Sequence, residues 1–343
     1  MNTKNIVIIT DAWHPQTNGV VTVFSKIIFH LKQEGVACTI IHPGLFRTVP
    51  LPLYQDIRLA LFPRKHLLKL IQETRPDAIH IATEGPLGMS ARAICRERNI
   101  PYTTSYHTQF HLYIEMYTRR ILSAQFVLRL LRRFHRGAAA TMVATEGLKQ
   151  ELEAQGFTNL VVWTLGVDTN LFARNPHPPL PSLEKPVCAY FGRVAQEKNV
   201  EEFLAASLPG SKIVIGDGPE LNRLEKKYGQ TVRFVGRKTG QELVDWLSLC
   251  DVVVFTSRMD TFGLTIIESL ACGVPVVAHD CLGPRDIITS GKDGILTDNI
   301  PAGVARALTL SHEACRQTAL QYTWEHSAGV FLKNLHFIHF PTE

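Results

Sequence analysis

The chain has 343 residues, 45% of them hydrophobic and 20% charged, which excludes disorder and leaves room for two domains, each with its own core. Its apolar runs fall well short of the roughly 20 residues a membrane-spanning helix needs, and Asn5–Thr10 is too short for a secretory signal core. Seven scattered cysteines (Cys38, Cys95, Cys188, Cys250, Cys272, Cys281 and Cys315) without a C-x-x-C pair fit thiols of a reducing cytosol and exclude a disulfide framework or a cysteine zinc site.

In chain order, short β-branched runs alternate with helix-period segments, the pattern of parallel sheets with crossover helices. Strands are predicted at Ile6–Thr10, Ala37–Ile41, Ile57–Leu61, Ala78–Ala82, Tyr102–Ser105, Thr141–Ala144 and Leu160–Trp163. Val20–Glu34 reads as a helix closed by Gly35, and Pro86–Arg98 as a second with proline in its first turn. Residues 119–136 then carry Arg119, Arg120, Arg129, Arg132, Arg133 and Arg136 with no acid between Glu115 and Glu146. The apolar residues Ile121, Leu122, Phe126, Leu130, Leu131 and Phe134 recur there near helical spacing. This stretch accounts for much of the charge asymmetry: residues 1–170 hold 19 Lys+Arg against 12 Asp+Glu, within a net charge of +5 for the chain. The arginines mark either a solvated helix face or a surface for an anionic lipid or other anionic partner. No motif accompanies them that would indicate nucleic acid.

The proline-rich stretch Asn175–Pro181 can join neither a central strand nor a helix interior. After it the alternation restarts, with strands at Val187–Phe191, Lys212–Ile215, Val232–Phe234, Val252–Phe255 and Pro275–Ala278. The fold class is therefore α/β, as two Rossmann-like parallel-sheet domains. The expected domains are 1–172 and 187–323, joined by a linker over 173–186 that serves as a hinge near Phe172–Pro186. In such sheets, ligands gather at the carboxyl ends of the strands.

Three loops in those positions carry candidate chemistry. After the first strand, Asp11–Val20 brings Asn18-Gly19 to a helix start, where backbone N–H groups can approach an anion; no G-x-G-x-x-G of a nicotinamide site is present. Taken alone, Gly19 is more often a plain turn glycine. After the first strand of the second domain, Arg193 and Lys198 lie five residues apart, a planar fork and a point charge suited to a diphosphate. The other reading is two surface cations, with Lys198 paired to a nearby carboxylate. The third loop, Ser257–Glu268, opens a helix at which Thr261, Phe262, Gly263 and Leu264 can offer N–H donors, with Glu268 about one turn in. The apolar Ile266, Ile267 and Leu270 around Glu268 predict partial burial, and a buried carboxylate needs a partner.

With these residues in view, the sequence resembles the retaining glycosyltransferases of family 4, which have the GT-B fold. The resemblance rests on Asp260-x7-Glu268, the Gly192-Arg193…Glu197-Lys198 loop and Gly216-Asp217-Gly218-Pro219. Asn18-Gly19-Val20, Ser105-Tyr106-His107-Thr108 and Trp163-x2-Gly166-Val167-Asp168 add to it, in family order over nearly the whole chain. It is similar in particular to the bacterial transferases related to GDP-mannose-dependent mannosyltransferases and to sulfoquinovosyl and glucosyl-lipid synthases. The resemblance implies two domains facing a central cleft, with 324–343 crossing back to the first domain. It implies that Arg193 and Lys198 hold the donor diphosphate, Glu268 the nucleotide ribose, and Gly19 the diphosphate from the other side. His107 and Asp260 then lie beside the transferred sugar as the catalytic pair, while His111 is structural. Two positions depart from the family: Asp260 stands where Glu is frequent, and Leu165 where related chains often carry Arg.

No two aspartates stand at i and i+2, so the D-x-D that holds a metal in many other glycosyltransferases is missing. A metal-independent reaction without a cofactor is expected, with fixed cations and helix N-termini stabilising the departing diphosphate. The donor is a nucleotide sugar, GDP-mannose or a UDP-sugar, and the acceptor a lipid or glycan. The expected location is cytoplasmic, peripheral at the inner face of the membrane. A sugar-nucleotide epimerase or phosphorylase of the same fold, and a non-catalytic sugar-nucleotide-binding protein, are the alternatives.

Overall fold

The computed structural model describes residues 4–16, 18–51, 54–117 and 123–338. The chain divides into two compact units, Met1–Leu165 with Trp324–Glu343, and Gly166–Thr323.

The first unit contains β1 (Asn5–Ile9), β2 (Ala37–Ile41), β3 (Thr48–Leu51), β4 (Tyr54–Ala60), β5 (Ala78–Ile81), β6 (Thr103–Tyr106), β7 (Ala140–Val143) and β8 (Leu160–Val162). Six of these form one parallel sheet in the order β2-β1-β5-β6-β7-β8, with β1 in register against β2 and β5. Strands β1, β5, β6 and β7 are almost wholly buried, which is why they read as continuous apolar or Thr-rich runs rather than alternating ones. The expected strand at Ile57–Leu61 exists as part of β4, but it pairs antiparallel with β3 in a separate ribbon. A β-branched run announces extended backbone; it does not announce its partner.

The helix Gly19–Gln33 buries Val21, Val23, Phe24, Ile27, Ile28 and Leu31, a stripe at 3.6-residue spacing. Gly35 follows its end at φ +77°, where the left-handed turn suits glycine. The helix Pro86–Glu97 starts at Gly85, which has no side chain to cap it. Asp11, reaching over from the loop after β1, does so instead: its carboxylate accepts from Leu87 N at 2.9 Å, Gly88 N at 3.3 Å and Thr83 Oγ1 at 2.9 Å. Burial raises the Asp11 carboxyl above its ordinary value, against the pull of these donors.

The helix Trp324–Asn334 returns to this first unit. Trp163 Nε1 donates to Ser327 O at 3.0 Å, and Phe24, His80, Trp163 and Phe331 form a ring cluster with centroids 5.0–6.4 Å apart. His80 lies wholly inside, hydrogen-bonded to Thr103 and Ser105, and burial drives its imidazole well below the ordinary value.

The second unit contains β9 (Val187–Phe191), β10 (Ser211–Ile215), β11 (Arg233–Gly236), β12 (Val252–Phe255), β13 (Val276–Ala278) and β14 (Gly294–Leu296). They form a parallel sheet ordered β11-β10-β9-β12-β13-β14, the doubly wound order whose switch point lies between β9 and β12. In the first unit the corresponding reversal lies between β1 and β5. Only β14, three residues with glycine at its head, was not expected from sequence.

The chain passes between units at Leu165/Gly166, earlier than the expected boundary at 172. The segment 173–186, expected as linker and hinge, belongs to the second unit and is tied into it. Asn175 N donates to Ser248 Oγ at 2.8 Å, Asn175 Nδ2 to Asp245 at 2.8 Å, and Lys185 Nζ to Asp251 at 2.9 Å. Arg316 bonds the carbonyls of Phe172, Thr169 and Ala271. Proline removes donors from this segment but leaves its polar side chains free to anchor it.

Candidate functional site

In the second unit, the loops that follow the two switch-point strands converge. Lys198, after β9, and Asp260, after β12, form an ion pair in which each side chain is about one-fifth exposed. The pairing of Lys198 with a carboxylate is thus real, and its partner is itself a candidate site residue. Thr256 Oγ1 donates to Lys198 O at 2.7 Å, so backbone as well as side chain of Lys198 is held by the strand next door. Arg193, on the same loop, is half-buried, and Tyr190 OH donates to its carbonyl at 2.8 Å.

The two glycine motifs let the loops after β9 and β10 touch backbone to backbone. A Cβ on Gly216 would lie 1.8 Å from Gly192 O, and one on Gly218 2.3 Å from Val194 O. No side chain can replace hydrogen there without moving the main chain. Val194 N donates to Asp217 O at 2.8 Å, fastening the two loops.

Past Asp260, Thr261 and Phe262 are buried, Phe262 against the Tyr322 ring at 6.0 Å. The Phe262 side chain is therefore core, and any contribution to a ligand comes through backbone. Gly263 takes φ +106° as the residue before the helix Leu264–Ala271, whose start no side chain caps. An uncapped helix start offers N–H groups and the positive end of the dipole to an anion. Glu268 lies one turn in and is half-buried, as the surrounding isoleucines predict. Sequence reasoning missed Gly283, at φ +84°, whose Cβ would strike Asp260 O and Phe262 O at 2.8 Å. Its Gly-Pro step was a turn signal with no stated purpose; the purpose is to let the next loop press on the Asp260 backbone. It missed Thr256 because a threonine at a strand end carries no distinguishing pattern.

In the first unit, Gly19 is the first residue of its helix, and Asn18 Oδ1 accepts from Val21 N at 3.1 Å as its cap. Among the described residues, no atom outside its chain neighbours and its own helix backbone comes within 4 Å of a Cβ at Gly19, so their packing does not explain the glycine. His107 follows β6, its ring edge-on to Phe24 at 5.5 Å and Trp163 at 5.8 Å. Burial, aided by the neighbouring His135, pushes the His107 imidazole down to about 4, so it is neutral near pH 7 and offers one donor and one acceptor. His111 bonds Tyr106 OH at 3.2 Å, in keeping with a structural role. Where arginine is frequent in the family, Leu165 is buried; Asp168 Oδ1 accepts from Leu171 N at 3.1 Å in a local turn.

The arginine-rich stretch contains the helix Ala124–His135, preceded by the helix Phe110–Tyr117; Arg119, Arg120, Ile121 and Leu122 lie outside the described residues. The inward stripe is Val127, Leu128, Leu131 and Phe134, so Phe126 and Leu130 are not part of the packed face. They are 51% and 46% exposed and share the outer surface with Arg129, Arg132, Arg133 and Arg136. Arg92 seals the C-terminus by donating to Arg133 O and Phe134 O at 2.7 Å. His135 bonds Thr104 at 2.9 Å and the buried Glu84 at 3.2 Å. Among the described residues no helix is long and apolar enough to cross a membrane, and no group of three or more His, Cys, Asp or Glu could hold a metal ion.

Two doubly wound units, the second with paired charges and an uncapped helix start at its switch point, define a glycosyltransferase of the GT-B type. The chain belongs to glycosyltransferase family 4: residues 17–171 match the Glycosyltransferase Family 4 model and residues 185–312 the Glycosyl transferases group 1 model. It is 32% identical over 308 residues to the sulfoquinovosyl transferase SQD2 of Arabidopsis thaliana, covering 81% of this chain and 60% of that protein. It is 28% identical to a GDP-mannose-dependent alpha-mannosyltransferase of Mycobacterium tuberculosis, over 93% of each chain. It is 26% identical to the alpha-monoglucosyldiacylglycerol synthase of Streptococcus pneumoniae, over 96% of this chain and 84% of that one. Among solved structures, sucrose-phosphate synthase of Thermosynechococcus elongatus shares the fold at TM-score 0.79 and 19% identity, over 96% and 98% of the two chains. Anabaena HepE, solved in complex with UDP-glucose, does so at TM-score 0.70 and 16% identity, with the same coverage.

Proposed function

We propose that the chain moves a hexose from a nucleoside-diphosphate sugar, GDP-mannose or a UDP-sugar, to a lipid or glycan acceptor, with retention of configuration and without a metal. The observation that carries this reading is the convergence of Lys198 and Asp260 at the β9/β12 switch point, beside Arg193 and the uncapped helix start at Leu264. In this reading Arg193, Lys198 and the N–H groups of Thr261–Leu264 hold the diphosphate, and Glu268 accepts from the ribose hydroxyls.

The reaction breaks the bond between the sugar's anomeric carbon and the diphosphate oxygen while fixed positive charge gathers on the leaving group. The acceptor hydroxyl oxygen bonds to the anomeric carbon on the same face, and its proton passes to the departing phosphate oxygen. Asp260 and the neutral His107 ring serve the sugar as hydrogen-bond partners through this oxocarbenium-like passage. Gly19 fits a backbone approach to the diphosphate, since packing leaves its glycine unexplained. The name of one relative, an alpha-monoglucosyldiacylglycerol synthase, favours a glycolipid acceptor. The outer face of Ala124–His135, with arginines around Phe126 and Leu130, suits peripheral contact with anionic lipid at the cytoplasmic side.

The test is transfer from GDP-mannose, UDP-glucose and UDP-sulfoquinovose to extracted membrane lipid, in EDTA. One donor should support transfer with the anomeric configuration kept. Activity that vanishes in EDTA and returns with Mg²⁺ refutes the metal-free mechanism. Inversion refutes same-face attack, and binding without transfer points to a non-catalytic protein.

A further inference from the structure

Behind the Lys198–Asp260 pair lies a second set of charges centred on His279, the first residue after β13 and only 1% exposed. Its Nδ1 lies 2.9 Å from Asp298 Oδ1, and its Nε2 lies 3.0 Å from Glu202 Oε2. Both ring nitrogens are thereby engaged, one by each carboxylate. The two carboxylates belong to different parts of the site. Glu202 is on the helix Val200–Ala205, which begins directly after the Lys198 loop, and it also accepts from Asn199, the neighbour of Lys198. Asp298 follows β14 and accepts from Arg258 Nη2 at 2.9 Å, two residues before Asp260.

We propose that His279 is a positioning residue of the donor site. Its two ring nitrogens tie the Lys198 loop, through Glu202, to the Asp260 loop, through Asp298 and Arg258, and so fix where the Lys198 ammonium stands. The inference rests on the reading that Lys198 holds the donor diphosphate. The outer end of the chain is at the surface, with Asp298 and Arg258 more than half exposed, where an ion pair alone is weak. The inner end is the buried ring, whose removal cuts the half-buried Glu202 off from the Asp298–Arg258 side of the chain.

The experiment measures equilibrium binding of GDP, UDP, GMP and UMP to wild type, Lys198→Ala, His279→Leu, His279→Gln and the Lys198→Ala/His279→Leu double variant, with the fold of each checked by thermal melting. His279→Leu should lose about tenfold or more in affinity for whichever diphosphate wild type binds, with a smaller loss for the matching monophosphate. His279→Gln, which keeps an N–H donor, should fall between. Because His279 acts through Lys198, the double variant should bind no worse than Lys198→Ala. Should His279→Leu not fold, Asp298→Asn replaces it in the same cycle.

Losses that add in the double variant overturn the proposal. So do folded His279 variants that bind the diphosphate as wild type does while Lys198→Ala is impaired, since the ring is then only structural. Undiminished binding by Lys198→Ala removes the diphosphate reading of Lys198, and the proposal with it. Wild type that binds none of the four nucleotides removes the donor reading itself.

Discussion

Replacing Lys198 by alanine perturbs two things at once, and the structure separates them. The ammonium and its partner carboxylate on Asp260 are 20% and 19% exposed, so the truncation leaves a largely desolvated charge without its cation. Breaking a fully buried pair costs about 3–5 kcal/mol of stability; with a fifth of each group in water, about 1–3 kcal/mol is expected. The same ammonium is assigned to the donor diphosphate, a charged contact of about 1.5–3 kcal/mol, or roughly 10- to 150-fold in affinity. Adding Asp260→Asn removes the stranded carboxylate and should return most of the stability, because neither member of the pair then carries a charge. It should not return the affinity. Urea unfolding and equilibrium nucleotide-sugar binding on wild type, both single variants and the double variant form the assay. Turnover is not the readout, because Asp260 is itself placed beside the sugar. If Lys198→Ala loses stability but binds the donor as tightly as wild type, Lys198 is a brace between two loops and the diphosphate must be held elsewhere.

Glu268→Gln keeps the shape but removes the charge and turns one acceptor oxygen into an NH2 donor, and should weaken nucleotide binding about tenfold with the melting temperature unchanged; equal affinity refutes the ribose role. His107 is held neutral in the fold near 4 but ionises near 6.5 in the unfolded chain, so its contribution is fully present above 6.5 and is lost as pH falls toward 4. That amounts to about 3 kcal/mol on acidification, and His107→Gln should flatten this part of the pH–stability curve relative to wild type; identical slopes refute the shift. Replacing Arg129, Arg132, Arg133 and Arg136 with glutamine should reduce co-sedimentation with anionic vesicles, at about 1 kcal/mol per residue near the surface. Wild-type binding should itself weaken with salt, and vesicle binding unaltered by the quadruple change assigns these arginines to solvent alone.

Parallel strands were legible where burial on both faces leaves little choice of residue: β9 and β12 begin and end where their apolar runs do. The ribbon β3–β4 was not, because strand pairing depends on what the tertiary structure places alongside. The proline stretch was misread for a related reason: its ties to Ser248, Asp245 and Asp251 join residues about 65–75 positions apart, and local composition does not encode them. Among the candidate site residues, Arg193 and Lys198 stand out by their charge after a strand end, and Asp260 through the family resemblance. Their supports do not. Thr256, Gly283 and His279 act by holding backbone or charge from neighbouring strands, and nothing in their immediate sequence sets them apart. Phe126 and Leu130 recur at the same helical spacing as Leu131 and Phe134, and only the position of the inward stripe separates them.

The return of Trp324–Asn334 to the first unit has a consequence for how the chain is made. Residues 166–323 are continuous, so every strand of the second unit is synthesised before the helix that closes the first one. Until then Phe24 and Trp163, both buried at the end, lack Phe331 against their rings and the Ser327 carbonyl for the indole N–H. The usual sequence of N-terminal domain first is therefore reversed at the last step: the unit begun first is finished last. In the interval the rings of Phe24 and Trp163 lack the cover that Phe331 gives them in the finished fold.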